Sequence, residues 1–258
     1  MRVATWNVNG LRARLEFVLA WLEDRKPDIV GFQELKMTDD QFPTDVFADA
    51  GYQVQVHGQK AWNGVAVLTR SESEPVQVGL PGQDDFGARL ITVQFKNLRF
   101  TTVYCPNGKN LEHDDYPRKL AWFDALNEHL TASGDPSQDE IICGDFNICP
   151  TDLDTWNPEG HVDAIFHTQA ERTRLQEIDR YGMTDLFRKL YPEERAYSWW
   201  DYRGGSFHRG HGLRIDFLFG TPSVQERLEA VVIDRDWRKK RGELKASDHA
   251  PVYADLRE

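Results

Sequence analysis

Several short apolar runs of this chain lead into side chains able to hold a metal ion: Asn7 in WN, Glu34 in QE, Asp145 and Asn147 in GDFN, and Asp216 in RID. Carboxylate and amide oxygens are hard donors suited to hard cations. Polar groups at strand ends lie where layered folds place their sites, while the apolar residues before them belong to the core. Four such ends could converge on one metal. Taken singly, each also has a local reading: Asn7 ahead of Gly10 as a turn, Glu34 as a helix cap, Asp145 as an Asx-turn, Asp216 as a partner for Arg214. No GxxxxGK[ST] loop is present to cradle a nucleoside triphosphate, and neither GxSxG nor HExxH occurs. Glycoside hydrolysis by a carboxylate pair stays open on acidic residues alone, with nothing positive for it.

The elements that must position these groups can be read from periodicity. β-rich runs occur at 2–6, 28–33, 64–69, 89–95, 98–105, 140–146 and 214–219. Between them lie helical patterns. The first carries Leu11, Leu15, Val18, Leu19 and Leu22 on one stripe and ends before Pro27. A second covers 116–132 with Leu120, Phe123, Leu126, Asn127 and Leu130 at helical spacing. A third opens with Thr168 and Glu171 in capping-box spacing and continues to about Tyr181. Helices separated by pairs or triples of strands point to an α+β layered class rather than strict βαβ alternation. No linker divides the chain, and GDPSQD at 134–139 reads as a surface turn.

With 40% hydrophobic residues, 8 Trp and 14 Phe, the chain has ample apolar surface for a core. Its opening residues show no signal-peptide pattern and no apolar run approaches the ~18 residues that span a bilayer, so a cytoplasmic, membrane-free protein is expected. Cys105, Cys143 and Cys149 are odd in number and form no CxxC pair, which suits buried thiols in a reducing compartment. A net charge of −11 argues against a generally basic nucleic-acid-binding surface. Between Arg235 and Lys245, however, the local net charge is +4, with Trp237 among the cations. Arg238, Lys239 and Lys240 are candidate backbone contacts there, and a solvated surface loop is the equal alternative.

In order along the chain, WNVNGLRA (6–13), DIVGFQELK (28–36), GVAVLTR (64–70), VYCPNG (103–108), GDFNICPTDLD (144–154), SWWDYR (198–203), LRIDFLF (213–219) and SDHAP (247–251) resemble exonuclease III and its abasic-endonuclease relatives. The wider superfamily includes DNase I, inositol polyphosphate phosphatases and sphingomyelinases. The resemblance implies a DNase I-like four-layer α/β sandwich, two mostly antiparallel sheets face to face with helices outside. Because WNVNG and SDHAP would meet at one edge, residues 1–258 are expected to form a single domain. It implies Glu34 as main ligand of Mg²⁺, with Mn²⁺ able to substitute, Asn7 and Asp248 completing the metal site, and Asp145 activating the attacking water. It further implies Asn147, Tyr104 and Asn107 on the phosphate, and a His249–Asp216 pair whose imidazole is charged. Strand alternation would set Asp145 and Asn147 on one face.

For substrate, the resemblance implies double-stranded DNA carrying abasic sites or 3′ ends, cut by a monomer. Trp199, Leu213 and Ile215 match a pocket for a base-free sugar, although composition alone assigns them to the core. Asn107 stands where the best-known bacterial members carry Gln. The Gly- and His-rich segment 203–212 reads as a mobile loop, with metal binding by His208 and His211 as its lesser alternative. The rival readings are a catalytically silent nucleic-acid-binding regulator, as in catabolite repression control proteins, and a superfamily phosphodiesterase acting on another phosphoester. The first lacks several catalytic positions that are filled here.

Overall fold

In the computed structural model, which describes residues 1–258, the seven β-rich runs all form strands and five others join them. In chain order they are β1 (Arg2–Asn7), β2 (Ile29–Gln33), β3 (Gln53–His57), β4 (Val65–Thr69), β5 (Glu74–Val78), β6 (Leu90–Phe95), β7 (Leu98–Tyr104), β8 (Glu140–Asp145), β9 (Thr184–Asp185), β10 (Asp216–Gly220), β11 (Leu228–Ile233) and β12 (Val252–Leu256). They build two six-stranded sheets, ordered β11-β12-β1-β2-β4-β3 and β5-β6-β7-β8-β10-β9. The pairs β1–β2 and β7–β8 are parallel and the remaining neighbours antiparallel.

Side-chain alternation along the strands separates three apolar layers. Between the sheets, Val3, Ile29, Val65 and Val67 meet Ile91, Val93, Phe100, Ile141, Cys143 and Leu218. The sheets approach tightly at Gly31, where a Cβ would stand 2.5 Å from Thr102 Oγ1, so β2 needs a glycine there. On one outer face Ala4, Trp6, Val30 and Phe32 pack against helix α1 (Leu15–Arg25) and, beyond it, α2 (Thr44–Asp49). On the other, Val103, Ile142, Phe217 and Phe219 pack against α3 (Asp115–Ser133) and α4 (Gln169–Tyr181). This is the expected four-layer sandwich. Each apolar side chain fully buried in these layers contributes ~1.5–3 kcal/mol, so both sheets and both helical layers are fixed by burial rather than by helix propensity.

The helices depart from their sequence patterns in detail. The buried face of α1 is Phe17, Val18, Trp21 and Leu22, with Leu15 and Leu19 only half-buried, because the larger aromatic rings take the core-facing arc. In α4 the capping box forms as its spacing requires: Thr168 Oγ1 accepts from Glu171 N at 3.2 Å, and Glu171 Oε2 accepts from Thr168 N at 3.1 Å. The GDPSQD segment is a largely exposed turn between α3 and β8.

Topology brings the polar strand ends to one edge. Parallel pairing of β1 with β2 sets Asn7 opposite Gln33, and that of β7 with β8 sets Tyr104 opposite Asp145. The RID run behaves differently from the other three: Asp216 begins β10 rather than ending it, and antiparallel pairing with β8 places it opposite Asp145. The first and last motifs also meet, Ser247 Oγ donating to Asn7 O at 2.7 Å and Trp6 Nε1 to His249 O at 3.1 Å.

Candidate active site

The Asn7 side chain joins the two sheets. Its Nδ2 donates to Glu34 Oε1 at 2.8 Å and to Asp145 Oδ2 at 2.9 Å, so one amide holds two carboxylates that belong to different sheets. Glu34 follows the end of β2 with φ 54°, a left-handed conformation that costs a non-glycine residue ~1–2 kcal/mol and turns its carboxylate to the sheet edge. Asp145 follows Gly144, which has φ 141°; a Cβ at Gly144 would lie 1.9 Å from Val103 O. Glycine therefore lets β8 lie against β7 and deliver the carboxylate.

Charges in this group differ by environment. Burial works to raise the Glu34 carboxyl, but Lys36, 2.8 Å from Oε2, and the Asn7 amide outweigh it and hold Glu34 below the usual range. Asp145 is fully enclosed, and burial together with Asp216 and Glu34 pushes it up to about 7 against the opposing pull of His249. Burial opposes the charge on His249, yet Asp216 above all, then Asp145 and Asp248, raise the imidazole to about 10. Its Nδ1 faces Asp216 Oδ2 at 2.9 Å and its Nε2 faces Asp145 Oδ2 at 3.8 Å. Asp216 is steadied in turn by Ser198 Oγ at 2.6 Å.

Single ligand atoms of Glu34, Asp145 and His249 lie within 4.8 Å of one another. A protonated imidazole contributes charge rather than a ligand atom, which leaves hard carboxylate oxygens as the donors. That set fits a Mg²⁺-type cation, and the crowding that raises Asp145 is what a bound cation relieves. Asp248 stands apart from the group. Its Oδ1 accepts from Asn9 Nδ2 at 2.8 Å and its Oδ2 from Trp199 Nε1 at 3.1 Å.

Asn147 is close to Asp145, but not by strand alternation. β8 stops at Asp145, and Asn147 takes φ 51°, donates its backbone N–H to Asp145 Oδ1 at 3.0 Å and its side-chain amide to Cys105 O at 3.0 Å. Tyr104 and Asn107 line an open cavity of about 480 Å³ beside the cluster, together with Trp62, Phe86, Arg89 and Lys109. Burial, then the charges of Glu34 and Asp145, raises the Tyr104 phenol well above its ordinary value. Arg89 covers the Tyr104 ring at 4.8 Å and donates to its carbonyl at 3.0 Å.

Trp199, Leu213 and Ile215 do come together, with Cys149 and Phe166, in a small apolar cluster. Leu213 is bridged to Thr155 on one side and Trp199 on the other, and Trp199 is bridged to His249. The basic segment divides. Arg238 is buried and donates to Asp248 O at 3.1 Å and Trp200 O at 3.2 Å, so its guanidinium supports the SDHAP motif instead of facing a phosphate. Lys239 and Lys240 are exposed, beside Asp236 and Glu243. In the 203–212 segment, a short helix spans Ser206–Arg209, His211 stacks on Trp156 at 3.7 Å and His208 packs against Phe207.

Asn9, Lys36, Ser198 and Arg89 were not singled out by the sequence, although the first three lie inside the quoted motifs. Their strict neighbourhood with Asn7, Glu34 and Trp199 was the available signal. Arg89 opens the β6 run and gave none.

Residues 4–249 match the Endonuclease/Exonuclease/phosphatase family. Exodeoxyribonuclease III of Haemophilus influenzae is 35% identical, with 100% of each chain covered. The exodeoxyribonuclease of Bacillus subtilis is also 35% identical, with 98% of each chain covered. Among solved structures, an AP endonuclease from Archaeoglobus fulgidus has a TM-score of 0.95 at 33% identity, with 99% of each chain covered. A 3′ phosphatase from Neisseria, solved with a product DNA hairpin, has a TM-score of 0.94 at 37% identity, with 100% of each covered.

Proposed function

This chain belongs to the endonuclease/exonuclease/phosphatase family as a nuclease of its exonuclease III type, and from that premise we propose that it is a Mg²⁺-dependent DNA-repair phosphodiesterase. It cuts duplex DNA 5′ to an abasic site, leaves a 3′-hydroxyl, and trims 3′ ends in the 3′ to 5′ direction. The observation that carries this reading is the adjacency of the two parts of the site. The carboxylate–imidazolium cluster is joined directly, through the Trp199–His249 bridge, to the apolar cluster of Trp199, Leu213 and Ile215, which we read as the surface that receives a sugar without its base.

Glu34 and Asp145, oriented by Asn7, are the groups that would hold the metal, with Asp248 acting through Asn9 and Trp199. When bound, Mg²⁺, or Mn²⁺ in its place, would neutralise charge on the phosphate and on the departing oxygen. Asp145, fixed by the Asn7 amide and the Asn147 N–H, is placed to take the proton of the attacking water. The water oxygen bonds to phosphorus as the bond from phosphorus to the 3′ oxygen breaks. His249, charged and fixed by Asp216, clamps the phosphate, to which Tyr104, Asn107 and Asn147 offer a phenol and two amides. Leu213, Ile215 and Trp199 close on the sugar. Lys239 and Lys240, exposed on the surface, would exchange Asp236 and Glu243 for backbone phosphate, whereas Arg238 is held inward.

In this reading the chain acts as one domain over 1–258, as a monomer and in the cytoplasm. Cleavage of an end-labelled duplex with one abasic-site analogue, against an undamaged duplex and with Mg²⁺ or EDTA, tests the reading. Metal-dependent incision 5′ to the lesion is expected. No incision with any metal would favour a silent nucleic-acid-binding protein, and turnover of a lipid or inositol phosphoester instead would move the substrate outside DNA.

A further inference from the structure

Lys119 occupies a core position of α3, in line with Trp122, Phe123, Leu126 and Leu130, and its side chain is wholly buried. All three N–H bonds of its ammonium are used. They go to Glu171 Oε1 of α4 at 2.5 Å, to Asn147 O at 2.7 Å and to Asn107 O at 3.3 Å. The ammonium also lies 4.7 Å from the Phe166 ring, which packs on the Leu213–Ile215 cluster. One buried cation thus touches the backbone of both residues whose amides are offered to the phosphate. The Asn147 side chain ties the same two segments together through Cys105 O.

Stability does not explain such a group. Burying a lysine and a glutamate costs several kcal/mol per ion, and apolar replacements of similar volume are commonly neutral or stabilising. What the pair provides is position: two loops with no strand pairing of their own are held at one point. Gly108, next to Asn107 in the first loop, has φ 84°, and a Cβ there would approach Lys119 Cδ to 3.0 Å, so the loop closes down on the lysine stem.

We propose that Lys119, anchored by Glu171, is a positioning residue for phosphodiester cleavage, setting the Asn107 and Asn147 amides through their backbone carbonyls. This rests on the phosphate-binding reading of those two amides. The test uses Lys119→Met combined with Glu171→Gln, which removes the ion pair while Gln keeps the capping-box acceptor of α4. On an abasic duplex kcat should fall about tenfold or more, since small misplacements of positioning groups cost up to ~10²-fold, with KM changed less than about twofold. In an Asn107→Ala/Asn147→Ala background the same change should cost less than about twofold, because the groups it positions are gone. The backbone amides of Gly108 and Ile148, which follow the clamped carbonyls, should shift and exchange faster in NMR spectra.

A kcat within twofold of wild type, or an equal loss in the background lacking both amides, would overturn the proposal. If the wild-type protein cleaves no DNA, the function above fails, and the Gly108 and Ile148 amides alone decide whether Lys119 holds the two loops. Should the double variant not fold, Glu171→Gln alone reads the same quantities with a smaller expected loss. Unchanged kcat and amides in that variant would count equally against the role.

Discussion

The carboxylate cluster and the apolar cluster proposed to receive the sugar share a border at Trp199 and His249, yet they are held in different ways. Asn7, Asp145 and Asp216 sit on the ends of paired strands, in continuous register with the sheets beneath them. Leu213 and Trp199 sit on loop segments joined by single bridges. In place of a sheet, the segment carrying Leu213 is secured by buried Arg214, which pairs with Asp154 at 2.7 Å and Asp185 at 2.6 Å. Proton transfer and charge stabilisation demand positions good to a fraction of an ångström, and strand ends supply that rigidity. A pocket that selects by shape tolerates looser support, and loops are where substrate range can change without disturbing the chemistry.

The contrast predicts effects of different kind and size. Asp145→Asn should lower turnover by about 10²–10⁴-fold while DNA still binds and the fold is retained; near-normal turnover in a steady-state assay would remove it as the base. Glu34→Ala should raise the Mg²⁺ concentration for half-maximal activity about tenfold or more, and an unchanged metal titration would take Glu34 out of that role.

Asp216→Asn sharpens the electrostatic side. In the wild type the imidazolium persists up to about pH 10 and is lost above it. The stability it contributes is therefore full below the ordinary histidine value of ~6.5 and disappears as pH rises through 10. Without Asp216, only the pull of Asp145 and Asp248 opposes burial, and His249 should titrate well below its wild-type value. NMR titration of the ring reads this directly, and the melting-temperature advantage of wild type over the variant should shrink between pH 6 and pH 10.5. A constant advantage would show that the pair is not the source of the shift.

The smallest effect should come from the pocket. Leu213→Ala with Ile215→Ala should reduce discrimination between abasic and intact duplex by about tenfold, the scale of a few methylenes in an apolar site. If the ratio of kcat/KM values holds while turnover collapses, these residues support the catalytic cluster and the division between the two regions fails.

Much of the layered fold was legible because alternation and helical spacing report which faces must be buried. β5 escaped because EPVQV carries a proline and is largely exposed, and β9 because two residues make no pattern. β12 escaped although it is central. VYADL looks unremarkable alone, and it becomes a strand by pairing with β1 at the far end of the chain. Within the site, the carboxylates and amides stood out because polar groups after apolar runs need a reason. Arg238 misled because local charge says nothing of direction: its guanidinium turns inward to two carbonyls that would otherwise lack it. Lys119 was invisible for the opposite reason, a charged residue on a stripe that spacing assigns to the core.

Residue type and order by themselves determined that this chain would form an α+β layered fold with Asn, Asp and Glu at its strand ends, and the four-layer sandwich was implied by the resemblance of its motifs to exonuclease III. Only the tertiary structure decided which of those groups share charge. The pull of Lys36 on Glu34, the rise of Asp145 to about 7 and of His249 to about 10 all depend on separations of a few ångströms between residues far apart in the chain. Electrostatic interaction falls with distance and with exposure to water, and neither quantity is written in the order of the residues.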